Sequence, residues 1–258
     1  MIAADGFLHA AGQRLEARWI DGGADSPVIL MLHEGLGSVS LWRDFPEHVA
    51  ARTGSPVLVW SRAGYGKSDY ASLPRPLTYM HDEAITVLPQ IVAQLAGRRH
   101  VLLGHSDGAS IALIHAGHCP QPGLAGLVLM APHVFVEDIS IAGIEAARQA
   151  WEQGALRERL VRHHGGNVDC AFLGWNRAWL DPGFRSWNIE EFLSRIGVPS
   201  LLIQGRDDEY GTIAQADAIA RQVNGPVTTC VLDACGHAPQ KDQTAAVLDA
   251  IATFMTEL

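Results

Sequence analysis

Cysteine is scarce in this 258-residue chain: Cys119, Cys170, Cys230 and Cys235 are too few and too scattered to staple a domain of this length. They read as reduced thiols of a cytoplasmic protein, although Cys230 and Cys235 are close enough in sequence to bridge. Basic residues are also short, with 19 Lys and Arg against 28 Asp and Glu, a formal charge of −9. That balance excludes a general affinity for nucleic acid or for an anionic membrane surface, since both select basic faces. Long apolar runs are missing, so no segment reaches the length of a membrane span. The start, Met1 to Gly6, lacks the basic stretch and following apolar run of a secretory leader. No fixed-period repeat or low-complexity linker is visible. Charged residues make up 18% of the chain and apolar ones 48%, a composition that can bury a substantial core in one large domain or two modest ones.

What is present is an alternation of two patterns. An unbroken apolar run occurs at Pro27–Leu32, and the same design recurs at Val57–Trp60, Val101–Leu103, Leu127–Met130, Ser200–Ile203 and Val227–Leu232. A strand buried on both faces reads this way, whereas a half-exposed strand alternates. Between them, helical spacing marks Ser40–Arg52, Tyr79–Leu95, Ala109–His118, Ile213–Val223 and Thr244–Phe254. The loosely alternating Phe7–Ile20 suits an antiparallel hairpin at a sheet edge. Together these predict an α/β fold, a mostly parallel sheet with helices on both faces. From 133 to 188 the rhythm breaks, with helical stretches at Ile141–Gln153 and Ala155–His163 and then Phe172, Trp175, Trp179, Phe184 and Trp187. A core of 1–132 and 189–258 with a helical cap at 133–188 accounts for this.

The chemistry concentrates at three places. Gly104-His105-Ser106-Asp107-Gly108 follows a buried strand and opens a helix, the context of a G-x-S-x-G nucleophile elbow. A serine hydroxyl needs a base near neutral pKa to take its proton, which selects histidine. His237, in the Gly-containing loop before the last helix, is the candidate; His115 and His118 lie within a helix and His163-His164 on the insertion surface. A carboxylate must then orient the histidine, and Gly205-Arg206-Asp207-Asp208-Glu209 places acids at a strand end. The run does not by itself separate Asp207 from Asp208. Gly64-Tyr65-Gly66-Lys67-Ser68 ends like a phosphate-binding loop, but Ser61 stands where its first glycine must be, and nucleotide binding is set aside. The insertion's Trp175, Trp179 and Trp187 are candidates for the roof of an apolar substrate pocket, with His133 facing it from the preceding strand end.

These motifs resemble the α/β-hydrolase fold superfamily, in the cap-bearing branch with small esterases and meta-cleavage-product C–C hydrolases. The resemblance runs over nearly the whole chain: the His33 loop, Arg62 to Ser68, the elbow, the insertion, Gly205 to Asp208, and Gly236-His237. It implies Asp208 as the acid, three residues after Gly205, with Asp207 as the alternative. It also implies an oxyanion hole from the backbone N–H of Asp107 and of Gly35, or of Leu36 beside it at the pocket. Relatives usually carry His-Gly where this chain has His33-Glu34, and often Asp where it has Ser61. Glu34, Asp107 and Glu209 therefore either place negative charge at the pocket or bond locally, the latter being favoured for Glu34 and Asp107. A serine at 106 argues against dehalogenase or epoxide hydrolase chemistry, whose family members use aspartate there.

The expectation is a serine hydrolase acting on a small acyl substrate and water, with a carboxylic ester ahead of lactone, thioester or a C–C bond. No metal or organic cofactor is required. A non-catalytic receptor of the same fold is the rival reading, and homodimer formation is left open.

Overall fold

The computed structural model describes residues 6–119 and 121–258; the reading of Met1–Asp5 lies outside them. Among the described residues eight strands form one sheet in the order β1-β2-β4-β3-β5-β6-β7-β8. β1 (Phe7–Ala10) and β2 (Gln13–Ile20) form the expected edge hairpin. β3 (Val28–Leu32), β4 (Val57–Trp60), β5 (His100–His105), β6 (Leu124–Met130), β7 (Ser200–Gly205) and β8 (Val227–Leu232) run parallel.

Side chains sort to the two faces with period two. Ile29, Met31, Val57, Val59, Val101, Leu103, Val128 and Met130 pack in one apolar cluster with α1 (Phe45–Thr53) and α10 (Thr244–Thr256). Leu30, Leu32, Leu58, Leu102, Leu127 and Leu129 pack on the opposite face, in a cluster shared with α4 (Asp107–His118), α8 (Ile213–Gln222) and the insertion. Double-sided burial is why these strands show no polar alternation. β8 departs from the expectation: as an edge strand it leaves Thr228 and Thr229 exposed.

Two helices differ from their sequence reading. The stretch expected as Ser40–Arg52 begins as a 3-10 turn, Val39–Trp42, and restarts at α1, where Pro46 sits in the first turn. The stretch Tyr79–Leu95 divides into α2 (Tyr79–Asp82), a π segment Glu83–Val87, and α3 (Leu88–Ala93). Pro89 supplies no N–H and its ring would strike the carbonyl four residues back, so one widened turn absorbs the mismatch.

The strand order places the site. From β3 the chain moves outward to β4 and then returns to β5 on the other side, so connections diverge between β3 and β5. Loops leaving the carboxyl ends of two such strands open a crevice, the usual ligand position in an open α/β sheet. Over it lies the insertion, built of α5 (Asp138–Glu152), α6 (Ala155–His164) and α7 (Val168–Leu180). Its neck is closed by an antiparallel bridge between Phe135 and Asn188 and by the Ile189 N–H bonded to the Val134 carbonyl at 2.8 Å. The short helix α9 (Pro239–Asp242) follows the His237 loop. Among the described residues no helix is long and apolar enough to cross a membrane.

Candidate active site

Ser106 follows β5 in a positive-φ conformation, φ 52° and ψ −120°, that side chains rarely adopt, and α4 begins at the next residue. The turn is held by close backbone approach. A Cβ on Gly108 would lie 2.1 Å from the Leu32 carbonyl oxygen, so only glycine lets α4 start against β3. This tight passage aims the Ser106 side chain into the crevice.

His237 Nε2 accepts the Ser106 hydroxyl at 2.9 Å, and its Nδ1–H donates to Asp208, 2.9 Å from both carboxylate oxygens. The structure therefore brings Ser106, His237 and Asp208 into one line, while Asp207 is exposed beside it. Asp208 is itself over-determined. Oδ1 accepts from the Tyr210 and Gly211 amides at 2.8 and 3.2 Å, and Oδ2 from the Gln204 side chain at 2.8 Å. Burial pushes its carboxyl up, but the bond and charge of His237 outweigh burial and hold it below the usual carboxylate range.

The His237 loop is tied down from three sides. His105 Nε2–H donates to the His237 carbonyl at 2.6 Å, Glu209 accepts the His237 amide at 3.2 Å, and Asp242 accepts the Gly236 amide at 2.9 Å. His105 immediately precedes the nucleophile candidate, so one side chain couples the elbow to the histidine loop. The Gln240 side-chain amide lies 3.1 Å from its Nδ1, and the Glu34 carboxylate 3.5 Å from the same nitrogen.

Opposite Ser106 stands the 33–37 loop. His33 Nδ1–H donates to the Glu34 carbonyl at 2.7 Å, and Arg62 donates to the carbonyls of His33 and Glu34 at 2.6 and 3.1 Å. The turn's own bond runs from Gly37 N–H to Glu34 O at 3.0 Å, which leaves the Gly35 and Leu36 amides out of the backbone network. The Asp107 amide, first in α4, likewise precedes that helix's internal ladder. Two free N–H groups and a helix N-terminus thus flank the Ser106 hydroxyl, a setting that suits a developing oxyanion. Gly35 has no room for a side chain, because an added Cβ would lie 2.2 Å from Trp175 Nε1.

Of the three acids in question, Asp107 points inward. It accepts from the Tyr79 hydroxyl at 2.5 Å and from Trp179 Nε1 at 3.3 Å, with Arg62 3.9 Å away. Burial raises its carboxyl, and Arg62 opposes the rise. Glu34 instead borders the cleft. Burial pushes it up, yet the bond and charge of His105 hold it well below the usual range. Glu209 lies at the exposed rim.

The cleft has a volume of about 390 Å³. Leu36, His133, Trp175 and Trp179 border it, as do Gly35 and Asp107; Trp187 does not. Trp187 follows a 3-10 turn (Pro182–Ser186) and stacks on Phe184 at 5.3 Å, with Trp179 5.9 Å away, so it packs among the insertion's aromatics rather than facing the cleft. Trp151 similarly stacks on Phe172. Ser140, Ile144, Tyr210 and Lys241 line the cleft without having been singled out from the sequence. Ser140 and Ile144 stand four apart on α5, so helical spacing from Ile141 onward held that signal. Tyr210 adjoins the acid run, and its ring lies tilted 4.7 Å from the His237 ring.

His164 corrects another expectation. It is buried, accepting the Gly66 amide at Nδ1 and donating from Nε2 to the Leu36 carbonyl, both at 3.0 Å. The insertion thereby grips the loop that carries Gly35. Burial holds His33, His133 and His164 below the usual imidazole value, His133 at about 3 and His164 at about 4. Such depressed groups contribute stability that is full above about pH 6.5, where the unfolded chain is neutral too. It is lost as pH falls toward the folded values, at about 1.4 kcal/mol per pH unit for each. His133 and His164 together should remove roughly 5 kcal/mol between neutral pH and pH 4.5. Thermal melts across this range should show Tm falling steeply with acid, and His164→Gln should flatten the fall. A Tm flat from pH 7 to 4.5 would contradict it.

The sequence profile of the Alpha/beta hydrolase family matches residues 29–250. The chain is 34% identical over 120 residues to an sn-1-specific diacylglycerol lipase of Danio rerio, covering 46% of this chain and 36% of that protein. It is 21% identical over 275 aligned positions to a proline iminopeptidase of Lactobacillus helveticus, covering 90% and 91%. The chain thus spans about a third of the lipase and most of the peptidase. Among solved structures, an esterase from Exiguobacterium antarcticum superposes with a TM-score of 0.73 at 18% identity, over 97% of this chain and 98% of that one, a likeness of fold. With the profile running from β3 into α10 over the sheet just described, the chain belongs to the alpha/beta hydrolase family.

Proposed function

We propose that this protein is a serine hydrolase that cleaves a small carboxylic ester through an acyl-enzyme on Ser106. The observation that carries the reading is the unbroken hydrogen-bond line from the Ser106 hydroxyl through His237 to Asp208, in residues that border the cleft or lie beside it. In the first step Ser106 Oγ attacks the ester carbonyl carbon while His237 Nε2 takes the hydroxyl proton. The carbonyl oxygen becomes an oxyanion held by the Asp107 and Gly35 N–H groups. Collapse breaks the ester C–O bond, and the imidazolium gives its proton to the departing alcohol. Water then adds to the acyl group with His237 again as base, and collapse releases the carboxylic acid and returns the proton to Ser106.

Asp208 holds the His237 tautomer that leaves Nε2 free to accept, and its negative charge favours the imidazolium formed in each step. A cleft of about 390 Å³ falls at the small end of ligand sites, which favours a compact substrate. Incubation with a fluorophosphonate probe should give one covalent adduct on Ser106, and short-chain 4-nitrophenyl esters should turn over many times per molecule. A single stoichiometric release of nitrophenol without cycling would point to a ligand receptor and overturn the hydrolase reading.

A further inference from the structure

The two amides offered to the oxyanion sit on different segments, Gly35 after β3 and Asp107 after β5. Such donors must stand about 2.7–3.1 Å from the oxyanion, so their mutual spacing has to be set by something. One buried side chain, Arg62, reaches both segments. On the loop it donates from Nη1 to the His33 carbonyl at 2.6 Å and from Nη2 to the Glu34 carbonyl at 3.1 Å. Its backbone N–H donates to His33 Nε2 at 3.1 Å. On the elbow the same Nη2 lies 3.9 Å from Asp107 Oδ2. Among the described residues no other carboxylate comes within 4.0 Å of this guanidinium.

The Glu34 carbonyl is the decisive atom. It belongs to the peptide group whose other end is the Gly35 N–H, and in a planar trans peptide the two point in opposite directions. Three donors converge on that oxygen: Arg62 Nη2, His33 Nδ1–H at 2.7 Å and the Gly37 N–H at 3.0 Å. They fix the plane, and with it the direction of the Gly35 N–H. They also draw charge toward the oxygen, which makes that N–H a stronger donor.

Asp107 supplies the fixed end. An acid in the first turn of a helix is favoured by the dipole alone and has no need of burial. Here the carboxylate is fully buried instead, between the Tyr79 hydroxyl, Trp179 Nε1 and a cation that grips the opposite half of the hole. A buried charge stripped of its partner is left uncompensated, so neither member of this pair can shift without the other.

We propose that the buried Arg62–Asp107 pair positions the oxyanion hole. The side chain of the residue that gives one donor amide holds, through Arg62 and the Glu34 carbonyl, the peptide that gives the other. This rests on the hydrolase reading above and deepens it. Both are positioning residues: neither charged group takes part in proton transfer, and both act through the two backbone amides.

Arg62→Lys keeps the charge but lacks the fork that bonds two carbonyls at once. Asp107→Asn keeps the backbone N–H and an acceptor for Tyr79 but loses the charge. In the full chain, on an ester it hydrolyses, kcat should fall about a hundredfold in Arg62→Lys and about tenfold in Asp107→Asn, with KM within about threefold; loss of a whole oxyanion donor costs roughly 100- to 1000-fold. The double variant should stay within about threefold of Arg62→Lys, because the two act as one unit. A trifluoromethyl ketone, to which Ser106 adds to leave an oxyanion, should lose affinity in step with kcat/KM. Ester binding to Ser106→Ala carrying the same substitutions should not move. A merely structural role would lower Tm without producing that split. If Arg62→Lys does not fold, Asp107→Asn and its ketone affinity decide. Esters turned over by Asp107→Asn with kcat and ketone affinity unchanged, or a double variant that loses the product of the two single losses, overturn the proposal alone. A native chain that turns over no ester and forms no ketone adduct overturns the hydrolase reading, and the proposal with it.

Discussion

Ser106→Ala should fold as the native chain does and lose about a millionfold in kcat on any ester the protein hydrolyses, by analogy with single deletions in such proton-transfer units. The substitution removes one oxygen from a site that forms no part of the packing. Ser106 is 7% exposed, and its backbone bonds, its N–H donating to the Met130 carbonyl and its carbonyl accepting from the Ala109 and Ser110 amides, do not involve the hydroxyl. Alanine carries the same Cβ and so meets the same positive φ. What disappears is the atom to be acylated and the proton that His237 accepts. The Asp107 and Gly35 amides would still polarise a bound carbonyl, so a residual rate above that of water should persist, reached by direct attack of water with His237 as base. The measurement is kcat by pH-stat or nitrophenol release alongside a thermal melt. A variant within tenfold of the native rate with an unchanged Tm would show that bond cleavage does not pass through this hydroxyl.

The sequence displayed the sheet well because its strands are buried on both faces. Val28–Leu32 and His100–His105 carry no exposed residue, and a continuous apolar run is the necessary outcome. The same rule misled at Val227–Leu232, where Thr228 and Thr229 interrupt the apolar pattern and the strand stands at the sheet edge. Ser106 and His237 stood out because each adjoins glycines, Gly104 and Gly108 about the one and Gly236 before the other, and glycines are readable. Asp208 and Asp207 could not be separated by composition: one residue of register decides whether a carboxylate turns under the His237 ring or out to solvent. His164 was hidden for a different reason. Its partners, Gly66 and Leu36, lie 98 and 128 residues away, and no local pattern announces a histidine that docks a cap onto an early loop. Trp187 was misplaced because the aromatic content of the 133–188 insertion does not tell which of its residues turn to the cleft.

The acid run also yields the sharpest contrast between neighbouring positions. Asp208→Asn should reduce kcat by roughly ten-thousandfold, in line with the amide replacement of a triad aspartate elsewhere, while Asp207→Asn should change it by no more than about threefold. Both substitutions remove one negative charge one residue apart, so a general electrostatic effect would touch them alike. The difference lies in hydrogen-bond polarity. Oδ1 of Asp208 accepts two backbone amides, from Tyr210 and Gly211, which will keep the asparagine oxygen on that side. The asparagine NH2 then occupies the place of Oδ2, facing the Gln204 side-chain donor and one side of the His237 Nδ1–H, so that only Oδ1, already shared by two amides, is left to accept that proton. His237 relieves the clash by moving its proton to Nε2, and a protonated Nε2 cannot take the proton of Ser106. The bound substrate is untouched by this change, so KM should move far less than kcat. Fluorophosphonate labelling, which needs the same proton transfer, should slow in parallel, giving a second readout independent of substrate choice. If Asp207→Asn proved the crippled variant instead, the carboxylate under His237 would have to be the exposed neighbour, and the line from Ser106 to Asp208 would not be the path the proton takes.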